Sequence, residues 1–396
     1  MISEELQNKI RDELEELKSQ GLWGYRRIIS SAQGAHAILD GRDTIILTST
    51  NYLGLASDPE VVQETEKILR RYGAGESSGP RICGVTDIHL ALEEYLAHFH
   101  KTERALLFPS CFLANVGAIA TLVGKGDAIF SDALNHASII DGCRLSGAKI
   151  HVYPHLDLAH LEKDLAAAEG YRTKLIVTDG VFSMDGDLAP LPDLISIARR
   201  YNAVLMVDDA HGVGVLGENG RGTPELFGVE GQIDILTSTL GKAMSGSIGG
   251  YIATSSLLTE YYIQKARTYR FTNVVPAHVV ASALAAFKKM ESLPEIRTRL
   301  WDNTRYFRRL LTSLGFEVAP SQTPILPVMI RDGAVAMEMS ARLLDEGVFV
   351  QGYCYPVVPR GEERLRCIVS AAHTRDDLDA AAQAFERVGR SLGILK

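Results

Sequence analysis

The chain has 396 residues, a formal net charge of −8 at pH 7 and a hydrophobic content of 46%. This length exceeds what one hydrophobic core normally serves, so we expect one large domain and one smaller one. The acidic balance, without any run of lysine or arginine, gives no electrostatic footprint for nucleic acid or an anionic membrane surface. Small soluble substrates are therefore favoured.

The sequence gives little indication of a membrane span, a secretory signal or a disulfide framework. No stretch approaches the roughly 18 consecutive apolar residues of a membrane span. The first residues are acidic and lack the basic and apolar regions of a secretory signal, so we expect a cytoplasmic protein. The five cysteines are an odd set without a C-x-x-C pair, which favours free thiols over a disulfide framework or a metal site.

The chain opens with a predicted amphipathic helix of about four turns. Its apolar side chains recur at helical spacing after Ser3, a typical cap, at Leu6, Ile10, Leu14 and Leu17. We expect this helix to pack on the body of the protein or on a second subunit. A short strand is predicted over 44–47, and the N-terminal segment is predicted to span 1–55.

Residues 56–285 are predicted to form the large domain. Helices are predicted over 61–72 and 88–99, and strands then alternate with helices. The seven predicted strands lie at 105–108, 127–130, 150–153, 175–178, 203–207, 233–237 and 250–254. Such alternation predicts an α/β domain built on a mostly parallel seven-stranded sheet.

Residues 286–396 are predicted to form a smaller α+β domain. Its predicted helices lie at 301–314, 334–346 and 374–392, and its predicted strands at 325–330 and 365–369. Thr374 and Asp377 resemble a capping box at the start of the last helix.

Two predicted strands end in side chains suited to pyridoxal phosphate (PLP). Residues 203–207 lead to Asp208, and residues 233–236 lead to a segment that ends at Lys242. PLP needs an amine to hold its aldehyde as a Schiff base and a carboxylate to keep its ring nitrogen protonated, so that the ring accepts electrons from a substrate carbanion. Although most lysines are solvated and aspartate often caps a turn, this pairing predicts a PLP site.

Three further positions add weaker support, because each has an ordinary structural explanation. His211 follows Asp208 by three positions and is placed to bond toward the phenolic oxygen of the cofactor ring. His136 follows the strand at 127–130, where it is either a hydrogen-bonded structural residue or a flat ring that stacks on the cofactor. Ser110 begins a predicted helix whose free N–H groups suit a phosphate, although simple capping would look the same.

Two glycine-rich segments match motifs of other enzyme classes. Residues 212–217 fit the dinucleotide fingerprint, which leaves an NAD-binding oxidoreductase as a remote alternative. A polar tetrapeptide separates this segment from its strand, and a turn follows where a helix should begin, so we interpret the match as coincidental. Residues 75–79 fit the G-x-S-x-G elbow, but a helix rather than a strand precedes them.

Four longer motifs resemble the α-oxoamine synthases, PLP enzymes of fold type I that couple an amino acid to an acyl-CoA. They lie at residues 131–142, 178–186, 238–243 and 355–359, and the resemblance covers essentially the whole chain. Within the family the motifs most resemble glycine C-acetyltransferase, also called 2-amino-3-ketobutyrate CoA ligase. The alternative is an 8-amino-7-oxononanoate synthase or another member that uses a longer acyl-CoA or an acyl carrier protein.

The resemblance implies a PLP-binding homodimer with shared active sites and assigns roles to individual side chains. Lys242 would carry the cofactor, and Asp208 would contact its ring nitrogen. His211 would lie near the phenolic oxygen, and His136 would stack on the ring. The cofactor phosphate would contact four residues, the last from the neighbouring subunit: Cys111, Phe112, Thr239 and Thr272.

The same resemblance predicts the substrate contacts. Ser183 and Arg366 would bind the substrate carboxylate, the arginine through its planar two-donor fork. Relatives usually place asparagine directly before Asn51, where it helps to hold this carboxylate, whereas this chain has Thr50. Relatives also tend to carry a side chain at position 79, where Gly79 would leave extra room for the amino-acid substituent. Strict specificity for glycine is therefore not expected, and the amino-acid substrate is predicted to be glycine or another small amino acid.

Overall fold

The computed structural model describes residues 2–19 and 23–396. Its α-helices are α1 (Glu4–Ser19), α2 (Pro59–Tyr72), α3 (Asp87–Phe99), α4 (Cys111–Leu122), α5 (Ala137–Ser146), α6 (Leu158–Ala167), α7 (Leu191–Arg200), α8 (Thr223–Leu226), α9 (Ser256–Lys265), α10 (Arg267–Arg270), α11 (Ala277–Ser292), α12 (Glu295–Leu314), α13 (Gly333–Asp345) and α14 (Arg375–Ser391). Its strands are β1 (His36–Leu39), β2 (Arg42–Ile46), β3 (Arg104–Phe108), β4 (Ala128–Asp132), β5 (Lys149–Tyr153), β6 (Lys174–Asp179), β7 (Val204–Asp208), β8 (Ile235–Thr239), β9 (Gly250–Thr254), β10 (Ile325–Met329), β11 (Val348–Phe349), β12 (Gln351–Tyr353) and β13 (Arg364–Ile368).

The largest sheet has seven strands in the order β3-β9-β8-β7-β6-β4-β5. Strands β5, β4, β6, β7 and β8 pair in parallel, whereas β9 is antiparallel to both of its neighbours. The predicted fold, PLP fold type I with a mostly parallel seven-stranded sheet, is confirmed. Strand β4 is buried at every position, as expected for a strand that helices cover on both faces.

Alternate side chains of β7 pack on opposite faces of this sheet. Leu205 and Val207 belong to one apolar cluster together with Leu194 of α7. Met206 belongs to a second cluster together with Ile119 of α4. Side chains that alternate between the two faces are typical of a strand with helices packed on both sides. The same alternation determines the face on which each polar residue at the end of the strand lies.

The C-terminal residues form a smaller α+β unit. Strands β10, β13 and β12 make an antiparallel sheet, and helices α12 and α14 pack on it through Phe307 and Phe385. A further sheet pairs the N-terminal hairpin β1-β2 with β11, so that Ile45 and Leu47 join the same apolar cluster. Residues 45–47 thus pack with the C-terminal unit. The domain boundaries after residues 55 and 285 stay a prediction.

Helix α1 begins where the sequence indicated. The Ser3 hydroxyl accepts a hydrogen bond from the Leu6 amide at 3.3 Å, which caps the helix. Its described residues are all exposed, including Ile10 at 41%. Within the described part of a single chain, the apolar side chains of this helix are therefore not buried. The packing of the helix on a second subunit stays a prediction.

The described residues show neither a membrane-spanning helix nor a cluster of metal ligands. None of the helices described between residues 2 and 396 combines the length and the apolar character of a bilayer span. No grouping of three or more histidine, cysteine, aspartate or glutamate side chains in the described part of the chain is suited to hold a metal ion.

Candidate active site

Polar side chains end four neighbouring parallel strands on one edge of the large sheet. These terminal residues are Asp132 of β4, Asp179 of β6, Asp208 of β7 and Thr239 of β8. In parallel sheets, ligands bind beyond the carboxyl ends of the strands. The predicted site residues in the loops that follow these strands therefore share one edge.

Asp208 is 4% exposed and firmly held. Its Oδ2 accepts a hydrogen bond from the Asn115 amide at 2.6 Å, and its Oδ1 accepts one from the Ala210 backbone at 2.9 Å. The Cys111 thiol lies 3.7 Å from Oδ2. Asn115 is itself fixed, because Thr237 donates to its Oδ1 at 2.6 Å. The sequence predicted Asp208 but missed Asn115, which lies about one turn into a predicted helix without any local signal.

Lys242 lies in the turn after β8. Within the described residues its ammonium group makes no hydrogen bond or ion pair. Burial lowers the pKa of Lys242 below its usual value, although the nearby Asp208 carboxylate acts in the opposite direction. The amine is therefore available as a nucleophile and as a proton carrier close to Asp208.

His136 precedes α5 at the end of the loop after β4. Its Nδ1 hydrogen-bonds the Ser138 hydroxyl at 2.7 Å, and its backbone N–H donates to Asp179 at 2.7 Å. The imidazole ring is exposed in the single chain. Partial burial lowers the pKa of His136, with Asp208 opposing and Lys242 reinforcing this effect. A neutral flat ring beside both predicted cofactor contacts fits a stacking role.

His211 lies deeper in the same pocket, against Tyr52. The Tyr52 hydroxyl and His211 Nδ1 are 2.8 Å apart. Burial holds the pKa of His211 well below its usual value, and the positive charges of Lys242 and Arg366 act in the same direction. The ring is therefore neutral. Tyr52 follows Asn51 in a motif that the sequence marked only for its substrate contacts, so its role was missed.

The start of α4 forms a cradle for an anion. The Ser110 hydroxyl accepts the Leu113 amide at 3.2 Å, while the N–H groups of Cys111 and Phe112 have no partner inside the helix. A Cβ built on Gly250 would lie 2.2 Å from the Cys111 nitrogen, so only glycine lets β9 approach this turn. With the helix dipole, the geometry fits a phosphate group.

The side chain of Thr239 lies at the adjacent end of β8. Its hydroxyl donates to the Gly249 carbonyl at 3.2 Å and accepts the Gly241 amide at 3.0 Å. Strand register places Thr239 opposite Gly250, the residue that closes the cradle. In a PLP complex, the cradle would contact the phosphate. Asp208 would contact the ring nitrogen, and Lys242 would bind the aldehyde. Thr272 is expected to reach the cradle of a second subunit, and that expectation stays a prediction.

Arg366 extends from β13 toward the same edge. Its Nη1 donates to the Ser183 carbonyl at 3.1 Å, and its guanidinium carbon lies 4.8 Å from the centre of the Tyr353 ring. Its Nε is buried and lacks a partner in the described structure. Because a buried cationic donor without a partner is costly, this nitrogen fits a ligand carboxylate. Ser183 contacts Arg366 through its backbone carbonyl, and its predicted contact with the substrate carboxylate stays a prediction.

Thr50 and Asn51 line a cavity of about 350 Å³ that also borders Gly241. The Asn51 side chain holds local backbone, because it accepts the Ala56 amide and donates to the Gln33 carbonyl, each at 3.3 Å. The cavity thus reaches the turn that carries Lys242, while the Asn51 amide is already engaged.

A backbone contact accounts for the glycine at position 79, whose predicted place beside the substrate stays a prediction. A Cβ at this position would lie 2.8 Å from the Thr272 carbonyl oxygen. Glycine is needed here because another backbone segment of the same chain packs against it. The structure therefore gives no support for extra room beside the substrate at Gly79.

Gly212, from the glycine-rich segment at residues 212–217, and the later Gly222 pack against the side chain of Asp209. A Cβ on Gly212 would lie 2.1 Å from Asp209 Oδ1, and one on Gly222 would lie 1.8 Å from Oδ2. The Asp209 carboxylate also accepts both the hydroxyl and the amide of Thr223 at 2.9 Å. Only the four-residue α8 follows, so the helix that a dinucleotide fingerprint requires is absent there.

A second cluster that the sequence did not reveal lies beside the site. The His155 ring contacts Asp132 through Nδ1 at 2.9 Å and Asp187 through Nε2 at 2.7 Å. Burial alone would lower the pKa of His155, but the two carboxylates raise it to about 10. This charged ring joins the end of β4 to the loops after β5 and β6, and the loop that follows β4 carries His136.

Comparisons with known proteins agree with this geometry. Residues 42–385 match the family described as aminotransferase class I and II. A curated 8-amino-7-oxononanoate synthase from Symbiobacterium thermophilum is 50% identical over 385 residues, which cover 97% of this chain and 98% of that protein.

Solved structures show the same fold. One described as SPT with PLP internal aldimine is 33% identical and superposes with a TM-score of 0.93 over 98% of both chains. A serine palmitoyltransferase from Sphingomonas wittichii is 34% identical, with a TM-score of 0.93 over 98% of both chains. The chain therefore belongs to the aminotransferase class I and II family and, within it, to the α-oxoamine synthases, PLP-dependent enzymes of fold type I.

Proposed function

We propose that this enzyme condenses alanine with a seven-carbon, ω-carboxylated acyl thioester to form 8-amino-7-oxononanoate. The observation that carries this choice is the 50% identity, over 97% of the chain, to a protein of that name. Among our two expectations within the family, the comparisons favour this alternative and give no support to glycine C-acetyltransferase.

The structure of the product determines the substrates. In 8-amino-7-oxononanoate the amine is on carbon 8 and carbon 9 is a methyl group, so these two carbons come from alanine after loss of its carboxylate as carbon dioxide. Carbons 1 to 7 come from a pimeloyl thioester, whose acyl carbon becomes the ketone. One thiol, from coenzyme A or an acyl carrier protein, leaves with a proton, and all atoms balance.

The residues at the strand ends suit PLP as the cofactor. Lys242 would hold it, and Asp208 would keep a proton on its ring nitrogen, while the turn from Ser110 to Phe112 would bind its phosphate. When bound, PLP supplies an electron-accepting ring that stabilises negative charge on the substrate Cα.

The remaining chemistry belongs to side chains of the protein. Lys242 would remove the proton from the alanine Cα, a role that its lowered pKa supports. Arg366, with its unpartnered Nε, would bind the alanine carboxylate before it is lost. His136 would cover one face of the ring and exclude water from it. Asn115 would hold the Asp208 carboxylate in its orientation through its 2.6 Å hydrogen bond.

A substrate matrix tests the proposal. Purified enzyme is given alanine, glycine or serine with pimeloyl, acetyl or palmitoyl thioesters, and released thiol and product mass are measured. We expect the highest kcat/KM for alanine with a pimeloyl thioester and the mass of 8-amino-7-oxononanoate. The Lys242→Ala variant serves as the inactive control. Preference for glycine with acetyl-CoA, or for serine with palmitoyl-CoA, would reject the assignment.

A homodimer is part of the proposal. Large apolar side chains lie exposed in the single chain, among them Ile82 at 78%, Ile248 at 59% and Phe271 at 69%. Their exposure supports a surface that a second copy covers. Light scattering of the purified enzyme should give twice the mass of the chain, and a monomeric mass would reject this part. Cytoplasmic localisation stays a prediction.

A further inference from the structure

Tyr52 and His211 form an isolated polar pair inside the protein. The Tyr52 hydroxyl oxygen lies 2.8 Å from His211 Nδ1, and the two residues are 1% and 9% exposed. Their rings meet edge to face, with an angle of 78° between the planes. Among the described residues, the Tyr52 hydroxyl has no other hydrogen-bond partner. The position of the shared proton therefore decides which nitrogen of His211 carries hydrogen.

The two possible directions of this hydrogen bond differ in cost. If Tyr52 donates, its hydroxyl hydrogen pairs with the lone pair of Nδ1, and His211 carries its own hydrogen on Nε2. If His211 donates from Nδ1, the Tyr52 hydroxyl hydrogen is left without an acceptor in a buried position. An unsatisfied buried donor is costly, so donation by Tyr52 is the favoured arrangement.

The doubly protonated ring is excluded by its surroundings. The cationic groups Lys242 and Arg366 face His211, and His136 opposes its protonation as well. Burial has the largest effect and lowers the pKa of His211 well below its usual value. Tyr52 stays protonated, because burial raises its pKa, an effect that Arg366 only partly opposes. The pair is therefore a neutral phenol and a neutral imidazole.

This arrangement leaves Nε2–H as the free polar group of His211. In the described structure Nε2 makes no hydrogen bond. An N–H group there can donate to an oxygen, whereas the other tautomer would turn a lone pair toward that oxygen and repel it. We propose that Tyr52 is a positioning residue that keeps the hydrogen of His211 on Nε2 and so makes this ring a donor to an anionic oxygen of the bound cofactor. Only the identity of the acceptor rests on the proposed function.

Nitrogen NMR of the histidine side chains tests the tautomer directly. The full-length enzyme is labelled with ¹⁵N-histidine, and the His211 signals are assigned by their loss in His211→Asn. Without PLP, we expect the wild type to show a hydrogen-bearing Nε2 and a bare Nδ1. In Tyr52→Phe the Nδ1 signal should move, because its donor is gone. A wild-type spectrum with hydrogen on Nδ1 would overturn the proposal, whatever substrates the enzyme uses.

A double-mutant cycle tests whether Tyr52 acts through His211. We expect Tyr52→Phe to weaken PLP binding about three- to tenfold, the range for one neutral hydrogen bond. In the His211→Asn background the same change should have no effect on PLP affinity. Equal weakening in both backgrounds would show that Tyr52 acts independently of His211, and the proposal would fail. Tyr262→Phe is the matched control, because Tyr262 is also buried and its hydroxyl has no partner.

Discussion

Substitution of Gly250 by alanine tests the phosphate cradle. The new Cβ would lie 2.2 Å from the Cys111 nitrogen and 2.5 Å from the Ser110 carbonyl carbon. Ordinary contact requires about 3.5 Å, so the backbone must move by roughly 1 Å. A shift of this size takes an N–H group out of hydrogen-bonding range. Loss of one hydrogen bond to a charged group costs about 1.5–3 kcal/mol, which corresponds to roughly 10- to 150-fold weaker binding.

Comparison of PLP with pyridoxal isolates this effect, because pyridoxal lacks the phosphate. Dissociation constants are measured by absorbance titration for wild type, Gly250→Ala and Gly124→Ala. At Gly124 the nearest atom to a new Cβ is 3.6 Å away, so that variant controls for loss of a glycine. In Gly250→Ala the preference for PLP over pyridoxal should fall by the factor above. An unchanged preference would show that this turn does not bind the phosphate.

Two further predictions concern the supports of the site. Gly222→Ala should lower the thermal midpoint of cofactor-free enzyme more than Gly228→Ala does, because both glycines have positive φ, 91° and 66°, but only the first would also clash with Asp209. Equal losses would refute the clash. His155→Gln should flatten the alkaline dependence of stability. The stabilisation from charged His155 is complete below its unfolded pKa of 6.5 and is lost as the pH rises through its folded pKa of about 10. Urea midpoints of wild type and variant that fall in parallel from pH 7 to 10 would contradict this.

The sequence predicted those features that depend on local pattern. The seven strands of the large sheet are apolar runs with clear ends, and their alternation with helices leaves few arrangements. Asp208 and Lys242 could be singled out because Asp208 follows such a run directly and Lys242 ends the short segment that follows another. The Thr374 capping box is likewise local, and the structure has it.

Contacts between distant segments could not be predicted in the same way. Tyr52 and His211 are 159 positions apart, and neither sequence context indicates the other. The charged cluster of Asp132, His155 and Asp187 joins segments at the ends of β4, β5 and β6. These segments are neighbours only because of the order of the strands in the sheet. The contact that requires glycine at position 79 was not foreseen, because its neighbour, the Thr272 carbonyl, comes from a remote segment. Packing across the fold determines these pairs, and spacing along the chain does not reveal them.

The central claim is that Lys242 carries the cofactor while Asp208 faces it. Enzyme saturated with PLP is reduced with borohydride, digested and analysed by mass spectrometry for the peptide that bears the pyridoxyl group. We expect the label on Lys242 in wild type and in Asp208→Asn, and no label in Lys242→Ala. A label on another lysine, or a protein that remains unlabelled at saturation, would contradict the account.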